Sequence, residues 1–199
     1  MNQELLFVMI SILILWIGNF FYLRDILIGR SFPHPISYGI WFIFIGFNTY
    51  ILAIEKEWYS LSIGIFNTLT CIIYTGFGIY YYSKIQKNWF DYFCLFLSIL
   101  LIAYWLFTRN NTNTIILTVI IDLIASLPTL KKAWIQPWTE TISIYFSSFL
   151  VAVLTIISLM TLSFDTTAFW VYLIIINLSI ISVCIFRRWY LKGWESIFK

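Results

Sequence analysis

The sequence predicts an all-α transmembrane protein: seven helices forming two parallel three-helix repeats joined by a linker helix, with the N-terminus outside and the C-terminus cytoplasmic. Three observations carry this. Hydrophobic residues make up 61% of the 199-residue chain, charged residues only 11%, and mean hydropathy is +0.90. A soluble domain carries about 25% charged residues. The apolar residues fall in long runs, and a helix needs roughly 20 of them to cross a hydrocarbon core. The few charges gather between the runs, more on one side than on the other.

The runs place spans at 5–23, 36–54, 59–82, 89–107, 114–130, 141–162 and 167–186. Helices are required because lipid cannot satisfy free backbone amides and carbonyls. A membrane barrel would instead show alternating strands of about ten residues. The first run is read as a span and not a cleaved leader: Glu4 precedes it, no Lys or Arg does, and no small-residue cleavage site follows.

Orientation follows from the basic residues. Arg24, Arg30, Lys84, Lys87, Lys131, Lys132, Arg187, Arg188, Lys192 and Lys199 share one side, and Lys56 and Arg109 the other. The richer side is cytoplasmic by the positive-inside rule. Trp58, Trp89, Trp134, Trp138 and Trp189 lie at span ends, where amphipathic rings anchor at the interface. Cysteine-accessibility labelling should therefore reach segment 131–138 from the cytoplasm and segment 109–113 from outside; the reverse at both would invert the topology.

The halves share a layout. Spans one and five each lead into a proline-containing segment on the basic side, and spans three and seven each carry a central asparagine, Asn67 and Asn177. Residues 1–83 then form the first three-helix repeat, 84–113 the linker helix, and 114–199 the second repeat with a short basic tail. A single inserted span keeps both units in the same orientation, as parallel repeats require.

Asp122 is the most informative residue, because a mid-bilayer carboxylate costs several kcal/mol unless protonated, solvated or paired. Thr114, Thr118, Asp122 and Ser126 recur every fourth residue and form a polar stripe. The bland reading is a helix lock; the functional one is a hydrated path whose carboxylate takes up and releases protons. Pro128 cannot donate to the carbonyl of Ile124, so the helix should kink or end there, giving a hinge. The amides of Asn67 and Asn177 would suit hydroxyl or amide groups of a solute, or simply pack helices. Asn19 and Asn48 are further intramembrane polar residues. Asp91 reads as an interfacial charge, and Glu140 as an acidic residue complementing a helix N-terminus. Cys71, Cys94 and Cys184 read as apolar filler, and the lone His34 has no ligand partners. Phosphate loops, nucleophile elbows and metalloprotease motifs are all missing. No enzymatic activity, cofactor, metal or nucleic acid is expected, and the partners are the lipid bilayer and a small solute, with homo-oligomers left open.

The stretch Leu127-Pro128-Thr129-Leu130-Lys131-Lys132-Ala133-Trp134 resembles the Leu-Pro-Gln segment of the PQ-loop family, which includes the SWEET sugar transporters. Glu140 and Ser143 fall where that family often places Glu and Ser. Thr129 stands in place of Gln, and the first half offers Pro33 and Pro35 without a Pro-Gln pair. The resemblance implies a hinge at Pro128 and a substrate site including Asn67 and Asn177. The segment Asp25 to His34 also resembles small bacterial membrane proteins, which implies a bacterial inner membrane. The resulting expectation is a transporter of a sugar, amino acid or vitamin-like metabolite, working by alternating access, passively or with protons. The alternative is a non-transporting accessory or assembly protein of the membrane.

Overall fold

The computed structural model describes residues 3–54, 58–85, 88–108, 111–159 and 163–197. Lys56, Lys87, Arg109, Lys199 and the side chains of Glu4, Trp58, Ser60 and Thr114 lie outside what it describes. Among the described residues there are seven α-helices and no strand: α1 (Gln3–Leu27), α2 (Pro35–Ile54), α3 (Trp58–Tyr80), α4 (Trp89–Thr108), α5 (Asn111–Ile135), α6 (Ile142–Ser158) and α7 (Phe164–Ile197). Three contain stretches long and apolar enough to cross a membrane, at Leu6–Leu27, Leu61–Tyr80 and Thr166–Lys192; Trp89–Tyr104 and Ile142–Ser158 are shorter and apolar.

Local chemistry explains the helix ends. α1 stops at a Schellman turn, in which the Arg30 amide donates to the Asp25 carbonyl at 2.8 Å and the Gly29 amide to the Ile26 carbonyl at 3.0 Å. Gly29 takes φ +71, the left-handed conformation that such a cap requires. Pro35 opens α2 at the first helical position, where its missing amide costs nothing. α4 opens on a capping box: Asn88 accepts from the Phe90 amide through its side chain, and Asp91 reaches back to the Asn88 amide at 3.2 Å.

Two elements differ from the sequence reading. α5 continues through Pro128 for two further turns to Ile135, so the proline interrupts one hydrogen bond without ending the helix. α7 is 34 residues long, or about 51 Å at 1.5 Å per residue. The basic segment after residue 186 is therefore the last part of a helix that outruns a hydrocarbon core of about 30 Å.

α1 packs on α6, α6 on α7, α7 on α5, α5 on α2, α2 on α3 and α3 back on α1, so six helices close a ring. α4 lies against α5 and α2. Small residues allow the closest approaches. A Cβ on Gly78 of α3 would stand 2.7 Å from the Pro33 carbonyl oxygen, which is backbone and cannot yield. Large apolar side chains such as Leu13, Phe20, Phe107 and Ile175 point outward, the inverse of a water-facing surface.

Candidate functional site

The polar interior has two levels. The first surrounds Asp122, whose carboxylate is buried on α5. The Tyr172 hydroxyl on α7 donates to its Oδ2 at 2.7 Å, while the Trp41 indole of α2 is near it with a buried Nε1 that has no hydrogen-bond partner among the described residues. None of the ion pairs among the described residues includes Asp122. The stripe around it is less available than its spacing implies, because the Ser126 hydroxyl is spent on the Asp122 carbonyl at 2.8 Å. Asn177 is buried on α7, and its amide donates to the Leu173 carbonyl at 2.8 Å. Asn67 is half-buried on α3, one turn before Cys71. No hydrogen bond among those described joins Asn67, Asp122 and Asn177 to one another. Beside them, Tyr22, Tyr38 and Tyr74 form an aromatic core, in which the Tyr74 hydroxyl donates to Asn19 Oδ1 at 2.8 Å.

The second level is a charged layer at the basic-rich end. Lys132 is buried at the end of α5, with its ammonium 2.6 Å from Glu140 Oε1. The same ammonium donates to the Phe32 carbonyl and, at 3.4 Å, to the Thr139 carbonyl. An ammonium has three donors, and here it meets three acceptors. The Tyr145 hydroxyl completes the carboxylate by donating to Glu140 Oε2 at 2.7 Å. Arg188 of α7 donates to the carbonyls of Pro137 and Glu140. Glu140 is thus a buried ion-pair partner and not a charge placed only for a helix dipole.

Several links at this layer bridge the two halves of the chain, among them a hydrogen bond between the Ser31 and Thr141 hydroxyls at 2.5 Å. Lys132 holds the Phe32 carbonyl, the Phe32 amide donates to the Thr139 carbonyl at 3.2 Å, and the Thr141 hydroxyl donates to Asp25 Oδ2 at 2.8 Å. Beside them, Asp91 is buried and not an exposed interfacial charge. Its Oδ2 lies 3.6 Å from His34 Nε2 and its Oδ1 3.8 Å from Lys131 Nζ. A small polar void lined by His34, Asp91, Lys131 and Gln136 sits there against the fully buried Pro128. Among the described residues no cluster of His, Cys, Asp and Glu is suited to hold a metal ion.

Sequence reasoning missed Tyr172, Trp41 and the Lys132–Glu140 pair. A phenol or an indole in a span needs a polar partner, which was the available signal for the first two. The ion pair joins residues eight apart across Pro137, with no helical spacing to advertise it. No family model matches the chain, and no curated protein or solved structure matches it either. The likeness to the PQ-loop family therefore rests on the residues of the Leu127–Trp134 stretch and on the layout.

Proposed function

We propose that this protein is a multi-pass membrane transporter of a small solute, a sugar, amino acid or vitamin-like metabolite, working by alternating access with or without proton coupling. The observation that carries the reading is the pattern of helix contacts. Exchanging α1–α3 with α5–α7 turns the pairs α1·α3, α2·α3 and α1·α6 into α5·α7, α6·α7 and α5·α2, all of which are in contact. α4 belongs to neither trio and packs on one helix of each, α2 and α5. This supports seven spans built as two parallel three-helix repeats around a linker, an architecture that moves solutes by rocking one unit against the other.

In this reading the charged layer is the closed cytoplasmic end, Asp122, Asn67 and Asn177 contact solute, and Pro128 softens α5 between the two levels. Opening that end requires Phe32 to part from Lys132 and Thr139. The second reading, a non-transporting accessory or assembly protein, is favoured by one observation: Tyr172 and Asp122 bond α7 to α5, as a helix lock would.

Uptake of sugars, amino acids and vitamins into proteoliposomes separates the two. For the transporter, a Phe32→Cys/Thr139→Cys pair should form a disulfide across the halves, abolish uptake, and regain it when reduced. Uptake that continues at the wild-type rate with the disulfide formed would remove this end from the transport cycle, and the absence of uptake by the wild type across the panel would favour the accessory role.

A further inference from the structure

Beside the charged layer, and sharing Lys131 with it, an apolar groove of about 550 Å³ runs along the outside of the bundle. Leu127, Leu130, Lys131 and Trp134 of α5 form its floor, and Phe90 of α4 and Val183 of α7 its walls. α4 and α7 both pack on α5, and the groove opens between them. At its end the Arg187 guanidinium lies 4.7 Å from the Trp134 ring centre, while its Nε donates to the Trp134 carbonyl at 2.8 Å. Among the described residues no carboxylate pairs with Arg187.

We infer that this groove holds one anionic phospholipid, with an acyl chain along Leu127, Leu130 and Val183 and the phosphate on Arg187. The inference rests on the membrane reading, which makes the occupant of an outward apolar groove a lipid. Charge decides which lipid. The guanidinium lies over the Trp134 and Tyr190 rings, and among the described residues only its Nε donates a hydrogen bond, so its Nη edge can meet phosphate oxygens, which a guanidinium fork matches. Lys131, at the floor, adds positive charge that Asp91 at 3.8 Å only partly offsets. A basic pocket between helices on the cytoplasmic side is the usual setting for an acidic headgroup.

The test uses the full chain in detergent, titrated with phosphatidylglycerol or phosphatidylcholine and read by native mass spectrometry and by thermal stability. Phosphatidylglycerol should bind at one site, about five-fold more tightly than phosphatidylcholine, the ratio for one basic residue at a charged interface. Arg187→Gln should remove that preference while leaving chain binding. Val183→Trp should fill the groove and abolish binding of both lipids, whereas Lys84→Gln should change neither. Glycerol phosphate alone should give no stabilisation; if it stabilises as well as the lipid, the site belongs to a free phosphate and the inference fails. Equal binding of both lipids, or binding that survives Val183→Trp, would also overturn it. A Val183→Trp effect on oligomer mass without one on lipid count would assign the groove to a second copy. The membrane reading fails separately, if the wild-type chain stays in the aqueous supernatant after carbonate extraction.

Discussion

Replacing Lys132 by Met should cost about 3–5 kcal/mol of stability, the range for removing one partner of a buried pair. The side chains of Lys132 and Glu140 are 3% and 1% exposed, so water cannot take over the lost interaction. The Glu140 carboxylate loses its counter-charge, and the carbonyls of Phe32 and Thr139 lose a donor. Because stabilities are commonly about 5–15 kcal/mol, a loss of this size approaches global unfolding. The double variant Lys132→Met/Glu140→Leu should recover much of it, since an apolar pair of similar volume is often as stable as a buried ion pair. Thermal unfolding in detergent of the wild type, both single variants and the double variant forms a cycle that measures the coupling. Additive losses would show that the two side chains act independently and would dismiss the pair as a tie at the basic-rich end.

Asp122→Asn should insert and fold normally, retain passive solute exchange, and lose accumulation driven by a pH gradient. The amide oxygen still accepts from Tyr172, now at 2.7 Å from the carboxylate, so only ionisation is removed. With none of the described ion pairs reaching Asp122, its proton is the means of changing charge at that depth, which is what coupling to a gradient requires. The helix-lock reading gives a different pair of results. Asp122→Asn is then silent, and Asp122→Leu leaves the Tyr172 hydroxyl without an acceptor at a cost of about 1–3 kcal/mol. Uptake by wild type and Asp122→Asn vesicles, with and without an imposed pH gradient, separates the two. Equal accumulation by both would end the proton-coupling proposal.

Much of the architecture is written along the chain, because it depends on local or summed properties. Hydropathy over 20-residue windows yields an all-helical class and apolar segments. Gly29, Pro35 and the Asn88/Asp91 spacing mark helix ends through backbone geometry that involves only neighbours. Asp122 is recognisable as costly from its depth alone, before any partner is known. What its side chain meets is another matter. Tyr172 lies 50 positions away in sequence, and its meeting with Asp122 depends on how α5 and α7 are rotated against each other. That rotation is set by packing over both helices and not by either residue.

The charged layer escaped for the same reason. Asp91, His34 and Lys131 come from the starts of α4 and α2 and the end of α5, and only the docking of α4 on α5 and α2 brings them together. Hydropathy treats each as an exposed end charge, because it sums residues and takes no account of partners. Lys132 and Glu140 are near in sequence, yet the Pro137 turn must fold back before they pair. The sequence alone determined the helices, several of their ends and one carboxylate, Asp122, set within an apolar helix, since these follow from local geometry and transfer from water. Tertiary structure decided which charges were buried and what paired with them, since a side chain's partner depends on the packing of helices that are distant along the chain.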